Sequence, residues 1–541
     1  MQSHHHRRSM LTVLIATSLA SASLMAAQVP PDAVLAQKQE LVRNNGSEPS
    51  TLDPHKVESD VEGNIIRDTF DGLVAVAADG TIEPRLAKSW EQKDNTVWTF
   101  HLRPGITWSD GTPITAQDVV WSWQRLVDPK TVSPYASYLA NMHVVNAAEI
   151  NQGKKTPDAL GVKALDDGTL QITLTQPNAS LLQMLDHYIL VPLDPAVVKR
   201  FGDKWTQPAN IVTSGPYKPT KWVVNERIVA ERNPRYWDNA HTVINKVTYL
   251  PITSETADVN RYKAGEIDIV YTVPINQFAQ LKKTMGSQLK VSPVLATYYY
   301  EFNTTKAPFN DARVRRALNM ALDKDIIADK VLGQGQRPAW IVSQPEIGGI
   351  HLKNPDYASW PMDKRIAEAK KLLTEAGFGA GHPLSFNLLY NTSESHQRIA
   401  IAATSMWKKN LGIEVKLQNQ EWKTMLDSMH TGNFDLVRYA WNADYDDAAT
   451  FLNNFRTGDS ENTSKYSNPA YDQALINAAK TADVAERSKY YQQAENMLAQ
   501  DVPAIPVYHY VRTHLVKPWV GGFNSDRLGF YYTKDMYILK H

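Results

Sequence analysis

Arg438 is the residue whose chemistry most needs explaining. The segment Phe434-Asp-Leu-Val-Arg-Tyr-Ala-Trp441 alternates as a strand does, which places Arg438 and Ala440 on the face opposite Val437, Tyr439 and Trp441. A lone guanidinium in so apolar a strand is costly to bury, so it needs a carboxylate partner. Just beyond, Trp441-Asn-Ala-Asp-Tyr445 begins a run of three acids, Asp444, Asp446 and Asp447. Acids in such a place solvate a loop, cap the helix running into Phe451, or hold a cation. His396, in Asn391-Thr-Ser-Glu-Ser-His396, stands just ahead of a helical pattern. The sequence contains no His-Glu-x-x-His zinc helix, no Gly-x-Ser-x-Gly elbow and no phosphate loop. A secreted peptidase with a scattered Ser/His/Asp set stays open as an alternative, because geometry rather than spacing defines such sets. Otherwise no catalytic residue, metal site or cofactor is expected.

The elements that must position these groups follow from periodicity. Val97-Trp-Thr-Phe-His-Leu102 alternates as a half-buried strand, and turns follow at Pro104-Gly105 and Ser109-Asp-Gly-Thr-Pro113. Thr115-Ala-Gln-Asp118 begins a helix with a capping box, and Val119, Val120, Trp121 and Trp123 supply its buried side. A second helix starts at Asn310-Asp311, with Val314, Ala317, Leu318 and Ala321 on its apolar face. A third runs from Asp363 to Ala376 and stops at Gly377; a fourth runs from Ile399 to Leu411 and stops at Gly412. Ile413-Glu-Val-Lys-Leu417 then returns as a strand, a βαβ fragment of the kind that builds α/β lobes.

Length and composition bound the rest. A chain of 541 residues, 43% hydrophobic and 21% charged, is large enough for three or four domain-sized units with substantial cores. Lysine plus arginine match aspartate plus glutamate at 57 each, which argues against a nucleic-acid partner. Cysteine is absent, which excludes disulfides, thiolate-bound metals and thiol nucleophiles. Residues 1–26 read as a cleaved secretory signal: Arg7 and Arg8 in front, an apolar stretch from Met10 to Ala20, then small residues up to Ala26 and Ala27. With no other spanning stretch and no cysteine for a lipid, a free periplasmic protein is expected.

Several long stretches resemble the oligopeptide-binding branch of the peptide/nickel solute-binding family of ABC transporters. They include Leu86-Ala-Lys-Ser-Trp90, Trp98-Thr-Phe-His-Leu-Arg103, Trp108-Ser-Asp-Gly-Thr-Pro113, Leu41 to His55, Tyr298-Tyr-Tyr300, Leu388-Leu-Tyr-Asn-Thr-Ser393, Asn419-Gln-Glu-Trp-Lys423 and Lys517-Pro-Trp-Val-Gly521. The resemblance covers nearly the whole mature chain. It implies an α/β, two-lobed, three-domain periplasmic binding protein fold with a hinge and a central ligand cleft. By analogy, residues 27–70, 195–295 and 512–541 form domain I, 71–194 domain II and 296–511 domain III. The implied protein is a monomeric receptor, not an enzyme, which hands oligopeptides to an inner-membrane ABC permease with its ATPase subunits. A murein-tripeptide receptor on the same scaffold is the near alternative.

The resemblance also assigns roles. Asp444 grips the peptide's α-ammonium, and Arg438 meets either a peptide C-terminus or Glu58. His396 meets the C-termini of longer peptides. Trp422, Trp441 and Tyr135 line side-chain pockets, while Ala440 and Asn442 border the ligand along the strand. Two cations of the family pattern are missing: Met429 replaces an arginine and Leu332 a lysine. Ala296 and Asn442 stand where the family has a disulfide, and Asp60 replaces an apolar residue beside the ligand, where it would favour basic groups.

Overall fold

The computed structural model describes residues 27–77 and 79–541, so the expected signal, residues 1–26, lies outside the described residues. The expected local elements form. Val97–Leu102 is a strand, and Ala116–Val127 is a helix whose Asp118 Oδ2 accepts from Thr115 N (2.9 Å) and Thr115 Oγ1 (3.2 Å). Val119, Val120 and Trp123 are buried and Trp121 is half-buried. Asp311 caps the helix Ala312–Met320, and Val314, Ala317, Leu318 and Ala321 are fully buried. The helix Met362–Glu375 ends just before Gly377, whose φ of +90° suits glycine.

The βαβ fragment is present with one correction. Strand Ser385–Asn391 leads into helix Glu394–Leu411, which ends at Gly412 with φ +70°; strand Glu414–Gln420 then pairs parallel to the first. The helix therefore starts five residues before Ile399. Ser393 caps it by accepting from the His396 N–H, so His396 lies in the first turn rather than ahead of it. The polar Glu-Ser-His-Gln-Arg run hid this turn from a search for apolar periodicity.

Three larger sheets organise the chain. In the first, Glu40–Asn44 pairs parallel with Lys246–Leu250, followed by Arg227–Arg232 and Tyr217–Val223. The second joins Ala87–Lys93, Val97–Leu102, Thr169–Thr173 and Val162–Asp166, all antiparallel. The third has six strands in the order Arg337–Pro338, Ala504–Leu515, Leu289–Phe302, Leu436–Asn442, Ser385–Asn391 and Glu414–Gln420. The first two sheets belong to one lobe and the third to the other, giving a two-lobed α/β fold with a hinge and a central cleft.

Two long strands carry the crossing. Leu289–Phe302 and Ala504–Leu515 pair antiparallel, with a register shift between Pro293 and Thr297. On one side of this bulge the pair lies within the six-stranded sheet. On the other, Val270 N donates to Leu515 O and Ile269 bridges both Val516 and Arg43, which ties the strand ends to the first sheet. A bulge frees backbone and bends the ladder, a suitable construction for a hinge.

Candidate ligand-binding cleft

Between the lobes lies a cavity of about 1570 Å³ of atom-free space, partly continuous with solvent. Leu436–Asn442 forms much of one wall. Ser385–Asn391 pairs with this strand only at Leu388 with Leu436 and Leu389 with Val437, so residues 438–442 have no strand neighbour on that side among the described residues. Arg438, Ala440 and Asn442 all line the cavity there, and Ala440 and Asn442 are only half-buried. The wall is thus an open strand edge, able to pair with an extended backbone.

Past this edge the chain turns out of the strand at Ala443, and the backbone N–H of Asp444 donates to Thr450 Oγ1 (2.9 Å). The Asp444 side chain, 10% exposed, lines the cavity, and its Oδ1 meets His187 Nε2 at 3.1 Å and the Tyr135 hydroxyl at 3.4 Å. Burial pushes His187 below its ordinary value, and the adjacent Asp444 only partly opposes this. The histidine is therefore neutral; its Nε2–H donates to Asp444 while Nδ1 accepts from Ile189 N (3.4 Å). Oδ2 of Asp444 has no donor among the described residues. A desolvated carboxylate held by neutral donors alone calls for a cation. More acid lies behind it. Glu461 is held well above its ordinary value, first by burial and then by Glu58, Asp459, Asp444 and Glu301.

The other end of the strand edge is cationic. Arg438 is 6% exposed; its Nη1 donates to Asn391 Oδ1 (3.2 Å), its Nη2 to the Tyr510 hydroxyl (2.6 Å), and its guanidinium lies 4.7 Å from the Tyr298 ring centre. Its Nε has no partner, and no carboxylate pairs with it among the described residues. His396 lines the same region, its ring 5.7 Å from that of Tyr298 and its Nδ1 unpartnered. Burial first, then Arg438, push it well below its ordinary value, so it too is neutral.

The family description "Bacterial extracellular solute-binding proteins, family 5 Middle" matches residues 81–463. The chain belongs to this family. Among curated family 5 relatives it is 54% identical to the periplasmic oligopeptide-binding protein OppA of Salmonella typhimurium, over 98% of this chain and 97% of that one. Among solved family 5 structures it superposes on Haemophilus influenzae OppA in complex with RPPGFSPFR with a TM-score of 0.92, at 45% identity, covering 94% and 100% of the two chains. It superposes on the Escherichia coli murein tripeptide binding protein MppA with 0.93, at 46% identity and the same coverages. Against the unliganded open form of MppA the score falls to 0.66, at 46% identity and 95% and 99% coverage. The lobes of this family 5 chain are therefore closed.

Closure brings together most of the residues singled out in the sequence: Asp444, Arg438, His396, Glu58, Trp422, Trp441, Tyr135, Ala440 and Asn442 all line the cavity. Trp422 stacks on Tyr439, the planes 8° apart, and Trp441 packs beside Tyr135. Two expectations need correction, and one position gains a location. Glu58 pairs with His430, both carboxylate oxygens 3.0 Å from Nε2, and not with Arg438. Asp60 presents no free charge to basic groups, because its Oδ2 accepts from Arg512 Nη2 and from Asn442 Nδ2 (2.6 Å). Met429 is buried in the apolar core instead of facing the cavity, whereas Leu332 does line it. Of the nearby acids, Asp447 caps the turn into Ala449–Leu452 and Asp446 holds Gly348 N and Arg527. The sequence reading missed His187, His430 and Tyr510, because no periodicity marks a residue whose partner lies dozens to hundreds of positions away.

Proposed function

We propose that this chain is a periplasmic receptor that closes on oligopeptides and delivers them to an ABC permease energised by its ATPase subunits. The observation that carries the reading is Asp444: a nearly buried carboxylate with neutral donors only, at the end of an unpaired strand edge that finishes at a carboxylate-free arginine. A peptide offers the complement, with an ammonium at one end, a hydrogen-bonding backbone, and a carboxylate at the other. The relatives named for oligopeptide binding support the same cargo. The chain acts as a monomer that leaves its cargo intact, is secreted with a cleaved signal, and takes its transport energy from the partner ATPase.

The division into 27–70 with 195–295 and 512–541, 71–194, and 296–511 is part of this proposal. It is supported by sheet membership, since the boundaries near 295 and 511 cut the two hinge strands at their bulge. The absence of cations at Met429 and Leu332 points to a preference for longer peptides over dipeptides. Likeness to MppA supports a second reading, a murein-type peptide as cargo. Mass spectrometry of protein purified from periplasm decides between them: a ladder of ordinary peptides supports the first, a single murein tripeptide the second. Calorimetry with di- to hexa-alanine tests the length preference, which tightest binding to dialanine refutes. Tetrapeptides recovered uncut after incubation separate a receptor from a peptidase.

A further inference from the structure

Two helices meet end to end across the cleft, each beginning with a serine cap followed by a glutamate: Ser254 before Glu255–Lys263 and Ser393 before Glu394–Leu411. Each cap serine accepts from its own helix, Ser254 Oγ from Ala257 N (3.2 Å) and Ser393 Oγ from His396 N (3.3 Å). Each glutamate, however, serves the opposite helix. Glu255 accepts from Ser393 Oγ (2.9 Å), Ser395 N (3.2 Å) and Ser395 Oγ (2.6 Å). Glu394 accepts from Ser254 Oγ (2.7 Å), Thr256 N (3.4 Å) and Thr256 Oγ1 (2.7 Å). Ordinarily a first-turn acid serves its own helix. Here the two acids are exchanged, so all six hydrogen bonds cross between lobes.

We infer that Glu255 and Glu394 form a reciprocal clasp, each carboxylate seated on the N-terminus of the other lobe's helix, which sets how long the receptor stays shut. Opening the lobes breaks both halves at once. It leaves two helix N-termini and two carboxylates to water, which solvates them without the fixed geometry. Each carboxylate gains from a helix dipole and from hydrogen bonds; burial still holds Glu255 above its ordinary value, whereas for Glu394 burial is outweighed by the bonds from Ser254 and Thr256, which hold it below its own. Glu255, Ser393 and Ser395 also line the ligand cavity, so the clasp forms part of its wall. The inference rests on the receptor reading only in requiring that the lobes open and close.

The chain contains no cysteine, so paired spin labels at Val224→Cys and Ile401→Cys, exposed positions on opposite lobes, report the interlobe distance in the full protein. Tetra-alanine release is timed in parallel by stopped flow. Glu255→Ala and Glu394→Ala are each expected to speed release about tenfold and to raise the open fraction. Glu255→Gln, which keeps the shape and one acceptor, should fall between Glu255→Ala and the parent. Ser395→Ala added to Glu255→Ala should cost nothing further, since the two share one contact, whereas Glu394→Ala added to Glu255→Ala should cost more. Parent-like release and open fraction in both alanine variants overturn the clasp, as does simple additivity of Glu255→Ala with Ser395→Ala. If Asp444→Asn weakens tetra-alanine binding about a hundredfold while the clasp variants behave as the parent, the clasp fails and the receptor reading stands. If tetra-alanine does not bind the parent, the cargo reading fails, and the ligand-free distance distributions still decide the clasp.

Discussion

Replacing Asp444 by asparagine removes a charge and almost nothing else. The amide oxygen still accepts from His187 and Tyr135, and the volume is nearly the same. What is lost is the attraction between a buried carboxylate and an ammonium placed against Oδ2. Charge-assisted hydrogen bonds contribute about 1.5–3 kcal/mol net, and breaking a buried ion pair costs about 3–5 kcal/mol, so a loss near 3 kcal/mol is expected. That is roughly a hundredfold in Kd. Calorimetry with a tetrapeptide and its N-acetyl form closes the cycle: acetylation should weaken binding to the parent by about the same factor and leave the variant nearly unaffected. The ligand-free variant should melt no lower than the parent, because a desolvated charge without a counterion has been removed. Binding of the free-amine tetrapeptide to Asp444→Asn within about threefold of the parent refutes the reasoning.

Arg438→Gln should weaken peptides with a free C-terminus by about 1.5–3 kcal/mol while sparing their amides, a contrast visible in a competition assay. Equal loss for both forms would mean that Arg438 only braces the strand. The Glu58–His430 pair makes closure pH-dependent. Its hydrogen bond to Glu58 raises His430 above its ordinary value of 6.5, burial opposing it in part. The stabilisation is therefore complete below about pH 6.5 and is lost as pH rises through the raised value. Affinity measured from pH 5.5 to 8.5 should fall with a slope that His430→Asn removes. Trp422→Ala opens the space against Tyr439 and should shift the side-chain preference in a peptide library more than the affinity for polyalanine. Ala296 and Asn442 lie directly opposite one another in the strand register, so a cysteine pair there should close a disulfide. Oxidised, it should raise the melting temperature by an amount corresponding to about 2–4 kcal/mol, read against the reduced protein.

The sequence made legible whatever depends on neighbours along the chain. The capping box at Thr115, the glycine stops at 377 and 412, and the alternation that separates Arg438 from Tyr439 all appear where periodicity places them. Asp444 was legible as an acid at the end of a strand, and a resemblance singled it out from Asp446 and Asp447. The residues that make it reactive were not. His187 reaches Asp444 across 257 positions and His430 reaches Glu58 across 372, through contacts that exist only when the lobes meet. Arg438 shows the same limit: a carboxylate partner was expected, but among the described residues Glu58 pairs with His430 and Arg438 is held by Asn391 and Tyr510 instead. A pattern along a chain states what a side chain requires, and only tertiary closure states which of several candidates supplies it.

The unmet needs also fix a direction. From Arg438 to Asn442 the strand rises about 14 Å, and Asp444 lies beyond its far end. On the proposed reading, with the ammonium at Asp444 and the carboxylate at Arg438, a bound peptide would run opposite to the 438–442 strand, offering its backbone in antiparallel register to the free edge. In the reverse orientation an ammonium would face Arg438 and a carboxylate would face Asp444, two repulsions in a site with little water to screen them. Recognition of both ends thus needs no particular side chain in between. The same two charges that admit many sequences exclude one orientation, which is how a receptor stays permissive about composition while remaining strict about polarity.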